Sequence, residues 1–298
     1  MLGNGWRRFV DWFDWIHPKG WAYEHNVLHP CHTGEQTDPD LVERETAYLQ
    51  ASRLPACLKY VILFLVGVSW KFTFYAPSTT SVINPEDGKR VASRHLDYIS
   101  ILDLFRLRDV RVRRLWMSSY LPYSIWHFGV IPLLFFPLGE WASMFVLVNK
   151  LQAEMFANFH TFAIVGPNHT GEDLYRFGTH PRSRDDFYAA QVLGSVNYNC
   201  GGFWLDYSQM WYNYQIEHHL FPDVPMRQYA QLQPRVQALC ERYGLDYRQE
   251  SVFKRFWMMV EVFVGRACQT ELRELRDWVA DSQQGVPEHV ETLQAGAD

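Results

Sequence analysis

Apolar residues in this chain gather into three long runs separated by polar loops. The first covers 57–76 and carries Lys59 and Lys71; the second covers 117–138; the third covers 141–167 and carries Asn149, Lys150, Glu154, Asn158 and His160. Each approaches the roughly 20 residues a helix needs to cross a hydrocarbon layer. Buried helices of a soluble protein are the competing reading for all three, kept open by the charges in the first and third, since charges at membrane depth are costly. Two shorter helical patterns follow at 226–243 and 251–268. In the second, Phe253, Phe256, Trp257, Val260, Phe263 and Val264 fall on one stripe at helical spacing, as in a packing or membrane-surface helix. Residues 1–24, with Trp6, Arg7, Arg8, Phe9, Trp12 and Phe13, form an amphipathic, interfacial pattern that is no signal peptide. A polar, basic loop is expected over 178–186. No repeat or second domain is visible, so the reading is one domain over 1–268 and a polar tail over 269–298, disordered beyond Gly285.

Composition sharpens this in one direction. Aromatic residues make up 16% of the 298 positions and Trp alone numbers 12, a loading suited to membrane interfaces. The mean hydropathy of −0.24 is too low for a many-helix channel and fits a few spans beneath a large polar face. A net charge of −5 gives no footprint for nucleic acid. Cys31, Cys57, Cys200, Cys240 and Cys268 lack paired spacing and read as free thiols of a reducing compartment.

The histidines carry the candidate chemistry. In Asn213-Tyr214-Gln215-Ile216-Glu217-His218-His219-Leu220-Phe221-Pro222, two adjacent imidazoles are about 100° apart on a helix, so each can serve a different ion, and Pro222 ends the helix. Neutral imidazoles are borderline metal ligands. Far upstream, His25 and His29 are four residues apart and share a helical face, with His32 close by. Between these groups, Asn168-His169 stands at the end of the third apolar run. Taken alone, each has a plainer reading: a polar surface face, a capping histidine, a surface pair.

The stretch Gln215-Ile216-Glu217-His218-His219-Leu220-Phe221-Pro222 closely resembles the third histidine box of membrane fatty acid desaturases, in the form used by front-end and related acyl-lipid branches. Together with His25-x-x-x-His29 and Asn168-His169, in the family's order, the resemblance extends from about Trp21 to Phe263. Two departures stand out. Pro30 occupies the place of the second box's paired histidine, and the family's first box and initial hairpin are not found before His25, which only 24 residues precede. The expectation is an N-terminally incomplete member. His17-Pro18-Lys19-Gly20 echoes a cytochrome b5 haem motif, but four residues do not make that domain.

The resemblance implies an all-α, integral membrane protein with a cytoplasmic histidine-box cap and fewer spans than the full family. It implies a non-haem, di-iron centre that uses O2 to place a double bond in an acyl chain. His25, His29, His32, His169, His218 and His219 are the candidate metal ligands, with His25, His29, His218 and His219 at the heart of catalysis. Gln215, Asp38, Glu172 and Asp173 are candidate supports, and Asp40, Glu217 and Asp223 lie close enough to join them; Glu217 equally suits a surface pair. His160 is expected to face the bundle as a hydrogen-bonding residue. The partners implied are a membrane lipid or acyl substrate and an electron donor of ferredoxin or cytochrome b5 type. A hydroxylase on the same scaffold and a truncated, inactive relative remain alternatives. If the boxes share one centre, the chain crosses the bilayer an even number of times between them. Arg106, Arg108, Arg111, Arg113 and Arg114 mark a cytoplasmic flank, so 117–138 goes out and 141–166 returns, while 57–76 lies along the interface or re-enters. Pairing 57–76 with 117–138 is the competing topology.

Overall fold

Prolines shape the helices of this chain. In four places among the described residues a helix widens into a π-turn and a proline stands two residues beyond it: Glu24–Leu28 before Pro30, Lys71–Tyr75 before Pro77, Trp116–Tyr120 before Pro122, and Ile125–Val130 before Pro132. Proline lacks an N–H and its ring collides with the carbonyl four residues back. A turn one residue wider relieves both problems locally, and the helix runs on.

These features come from a computed structural model that describes residues 13–84, 88–92, 95–272 and 278, except the side chains of 43–45. The chain is mostly helical. Helix α1 joins Pro18–Tyr23, the wide turn Glu24–Leu28 and His29–His32; α2 is Val42–Ala51, α3 Ala56–Val68, α4 Lys71–Ser81, α5 Val110–Leu138 and α6 Glu140–Val165. Smaller helices follow: α7 Arg184–Leu193, α8 Phe203–Ser208, α9 Gln215–Leu220, α10 Tyr229–Tyr243 and α11 Val252–Phe263. Short strands β1 (Tyr175–Phe177) and β4 (Thr270–Leu272) pair in parallel, as do β2 (Asn197–Tyr198) and β3 (Gln249–Glu250). Trp278 packs with Phe177, Ala190, Leu193 and Leu272. The interfacial pattern of residues 1–12 and most of the expected polar tail lie outside the described residues.

Among the described residues, one continuous helix, α5, is long and apolar enough to cross a membrane; α3 and α4 qualify only as a pair bent by 80°. The 57–76 run is therefore broken, not straight. Its second half starts where Asn158 Oδ1 accepts from the Lys71 backbone N–H at 2.6 Å. Helix α6, expected to return across the membrane, has 26 residues but does not meet the same apolar standard, because Asn149, Lys150, Glu154, Asn158 and His160 interrupt it. It still forms the expected hairpin with α5. Gly139 turns the chain at φ 114°, a conformation that favours glycine, and Ser143 Oγ donates to the Pro132 carbonyl at 2.9 Å.

Two of the charges inside the apolar runs, Lys59 and Glu154, have partners. Lys59 Nζ donates to the carbonyls of Gln50 (2.9 Å) and Val264 (3.1 Å). Glu154 accepts from Trp15 Nε1 at 2.8 Å, Asn158 Nδ2 at 2.9 Å and the Tyr123 hydroxyl. The main core packs Trp70 and Phe74 against Phe162, Met259, Val260 and Phe263. Gly67 permits that approach, since a Cβ there would lie 2.8 Å from the Phe162 ring. On α11 the apolar stripe divides. Val260, Phe263 and Val264 are buried, Phe253 and Trp257 face outward, and the buried neighbour is Arg255, which pairs with Asp173 at 2.5 Å and donates to the Thr170 carbonyl at 3.2 Å. This arginine anchors the loop after His169 to the core.

Candidate metal centre

Three segments distant in sequence bring their imidazoles to one place. The wide turn of α1 delivers His25 and His29. His29 donates its own backbone N–H to the Glu24 carbonyl, and Pro30 follows in the position that needs no donor. The 3₁₀ turn Gly166–Asn168 ends α6 and presents His169. Helix α9 carries His218 and His219, and it stops at Leu220, since Phe221 before Pro222 is pushed out of helical geometry (φ −135°, ψ 60°).

His29, His169 and His219 offer ring nitrogens that all lie within 4.8 Å of one another. Their outer faces fix which nitrogens these are. His29 Nδ1 meets Asp38 Oδ1 at 2.8 Å, and His169 Nδ1 meets the Gly194 carbonyl at 2.9 Å. His219 Nδ1 meets Gln191 Oε1 at 2.7 Å; that amide is oriented by its Nε2 donating to the Pro30 carbonyl at 3.2 Å and by Thr33 Oγ1 donating to Oε1 at 2.9 Å. Each partner is an acceptor, so each Nδ1 carries a proton and each Nε2 turns inward, as the atom a metal would take. Asp38 is itself held by the backbone N–H groups of Gly34 (2.8 Å) and Asp40 (2.9 Å).

The inward faces fit a cation. His169 Nε2 and His219 Nε2 are 3.2 Å apart, and the Gln215 amide nitrogen bridges them at 3.0 and 3.1 Å. Asn168 Nδ2 donates to Gln215 Oε1 at 3.0 Å and fixes the amide in that sense. His29 Nε2 is buried with no hydrogen-bond partner, and Asp40 Oδ2 lies 3.6 Å away, beyond bonding range. An orphaned nitrogen facing two others, each backed by an acceptor, is what a borderline divalent metal such as iron requires.

Burial opposes a charge on His29, but the carboxylates of Asp38 and Asp40, the Asp38 hydrogen bond and Glu24 outweigh it and push its pKa up to about 9. Burial first, and then the neighbouring His29, bring His169 down to about 4. Burial, then His25, His29 and His169, bring His218 to about 3, and burial with the same neighbours holds His219 well below its ordinary value. Without metal the group is one imidazolium facing neutral rings, and a cation entering it displaces the His29 proton.

Beside this group, His25 and His218 stack with ring centroids 5.5 Å apart and planes 14° from parallel. Trp21 stacks on the other side of His25 at 4.8 Å, and the Tyr229 hydroxyl lies 3.2 Å from His218 Nδ1. The adjacent residues of the tandem pair thus face different partners, as helical geometry requires.

Other expected residues go elsewhere. His32 leaves the group and faces Glu35 at 3.0 Å. Asp173 meets Arg255 and Arg248, not an imidazole, and Glu172 is exposed, as is Asp223. Glu217 is neither an imidazole holder nor a surface pair: it is buried, accepting from Asn197 Nδ2 at 2.7 Å and the Tyr247 hydroxyl at 2.8 Å. His160 is hydrogen-bonded, to the Ser208 carbonyl at 2.8 Å, but is exposed. Gln191, Thr33, Tyr229 and Arg255 are roles that sequence reasoning missed. For Gln191 a signal existed, a single amide within the run Ala189-Ala190-Gln191-Val192-Leu193.

The family model for fatty acid desaturase matches residues 2–251. Delta(8)-fatty-acid desaturase 2 of Arabidopsis thaliana is 27% identical over 86% of this chain and 53% of its own length. Acyl-lipid (9-3)-desaturase of Physcomitrium patens is 26% identical over 65% of this chain and 31% of its own. Delta(5) fatty acid desaturase fat-4 of Caenorhabditis elegans is 29% identical over 46% of this chain and 29% of its own. The chain spans about half the length of the first of these curated relatives. No solved structure matches.

Proposed function

Because the chain belongs to the fatty acid desaturase family, we propose that it desaturates a lipid-linked or free acyl chain. The observation that supports this most is the convergence of three backed Nε2 atoms from α1, the turn after α6, and α9. On this reading His29, His169 and His219 hold iron, and His25 and His218 serve a second ion of a di-iron centre. Bound iron supplies the O2 activation that an unactivated C–H bond demands, since such a bond offers no acidic proton to a general base.

The chain's own residues do the positioning. Asp38, the Gly194 carbonyl and Gln191 keep the three rings in one tautomer and orientation. Burial of these rings keeps bulk water from the reacting region. Gln215 is a supporting amide, fixed by Asn168, that steadies two of the rings. An apolar cavity of roughly 230 Å³ is lined by Val42, Leu63, Val66, Trp70 and Phe74; we assign the acyl chain to it. The desaturase-like unit is taken as 1–268 and the remainder as a tail, whose first part docks as β4. The histidine group faces the cytoplasm at the rim of a bilayer, α5 and α6 form the membrane hairpin, and electrons come from an external donor of cytochrome b5 or ferredoxin type.

The test is lipid profiling of cells expressing the chain, beside the His219→Ala variant. A new double bond made by the parent alone supports the proposal. A hydroxylated product would assign the scaffold to oxygenase chemistry, and identical lipids in both cultures would refute acyl oxidation.

A further inference from the structure

A second set of ligating side chains stands apart from the histidine group. His32, from the end of α1, Glu35, from the turn after it, and His180, from the loop after β1, place ligand atoms within 4.8 Å of one another. The carboxylate lies between the rings: Glu35 Oε2 is 3.0 Å from His32 Nδ1, and Oε1 is 2.7 Å from His180 Nδ1. The Thr37 hydroxyl donates to Oε2 at 3.3 Å. The ring centroids are 5.7 Å apart.

The carboxylate is built into the backbone and is not a stray surface group. Glu35 is only 8% exposed. Its N–H donates to the His32 carbonyl at 2.8 Å, and it bridges Phe177 in parallel. Gly34 before it has φ 75°, and its carbonyl accepts from the Phe177 N–H at 2.9 Å. A Cβ at Gly34 would lie 3.1 Å from the Phe177 ring, so a side chain there is disfavoured by both backbone and space. The turn thus fixes Glu35 between an α1 histidine and a histidine 145 residues on. His180 is 60% exposed at its side chain, which leaves the site open to solvent on one side.

We propose that His32, Glu35 and His180 form a second divalent-metal site, of the zinc class. Two imidazoles and one carboxylate with an open side is a donor set that such an ion accepts, with water completing the coordination. An ion entering the site takes the place of the two Nδ1 hydrogens now held against Glu35, which leave for Nε2 or solvent, so both Nδ1 lone pairs and the carboxylate face the cation. The ion would tie the 178–183 loop to the end of the helix that bears His25 and His29.

The experiment titrates zinc into full-length protein purified in detergent and already loaded with iron, followed by calorimetry and by tryptic cleavage at Arg182. The parent is expected to bind one further zinc per chain and to become at least tenfold slower to cleave. His180→Ala, a change in an exposed loop, is expected to weaken that zinc at least tenfold while retaining its iron. Glu35→Gln, which preserves shape, is expected to do the same. Equal zinc uptake by the parent and both variants, or no zinc beyond the iron, would overturn the site and leave a hydrogen-bonded His–Glu–His contact. Loss of iron from His180→Ala would overturn its separateness from the first centre.

Discussion

The two histidine groups of the centre differ in what stands behind them. Behind His29, His169 and His219 are a carboxylate, a backbone carbonyl and a glutamine oxygen, at 2.8, 2.9 and 2.7 Å. The His25 and His218 rings instead stack on each other, with Trp21 on one side and the Tyr229 hydroxyl on the other. Acceptors behind a ring aim its lone pair; stacking fixes only a ring's plane, so in the second group it is the Tyr229 hydroxyl that orients His218. The first group is preorganised for a cation; the second lacks that backing and does not join the three nitrogens that lie within 4.8 Å of one another.

The comparison breaks most visibly if ligands are removed. Alanine at His29, His169 or His219 should lower metal affinity by more than the roughly 100-fold ceiling seen for supporting residues and abolish the acyl product. Alanine at His25 should leave about half of the iron in place. Metal quantitation on detergent-purified variants checks both, and equal losses from the two groups would erase the distinction.

Removing a backing acceptor should matter less. Asp38→Asn should weaken metal binding by about 10–100-fold. It should also change a pH effect. His29 in the metal-free protein has its pKa raised from 6.5 to about 9. A raised value means that protonation stabilises the fold fully below pH 6.5 and that this contribution disappears as pH rises through about 9. Metal-free parent should therefore melt progressively lower between those limits, and Asp38→Asn should flatten that slope. An unchanged slope would place the proton elsewhere.

Arg255 tests whether the His169 turn depends on a support outside the centre. Arg255→Met leaves the Asp173 carboxylate without its buried partner. Breaking a fully buried pair costs about 3–5 kcal/mol; because the Asp173 side chain is 32% exposed, a loss nearer 2 kcal/mol is expected. Chemical denaturation measures it, and a change within experimental scatter would show the turn to be self-supporting. The smallest effect should come from Gln215→Ala, which removes a bridging amide but no ligand; a fewfold loss of metal affinity is expected, and loss as large as that of His219→Ala would make the amide a ligand.

Much of the centre was legible because its signals are local. The tandem pair, its Gln215 and the Pro222 stop are neighbours in sequence, and so are His25 and His29. Opaque were the contributions that depend on packing. Nothing in the spacing of His32 reveals that Gly34 turns the chain so that Glu35 meets His180. The stripe on α11 reads as one packing or membrane-surface face, whereas the structure turns Val260 and Phe263 inward and Phe253 and Trp257 outward and buries Arg255, whose partner Asp173 comes from a loop 82 residues away. The apolar runs showed where long helices form. They did not show that the first bends by 80° where Asn158 captures the Lys71 N–H.

If three inward Nε2 atoms hold iron, iron-edge X-ray absorption of the purified, iron-loaded protein should show the multiple-scattering pattern of imidazole ligands, diminished in His169→Ala. A shell of oxygen ligands alone, identical in the parent and that variant, would mean that these imidazoles do not bind it.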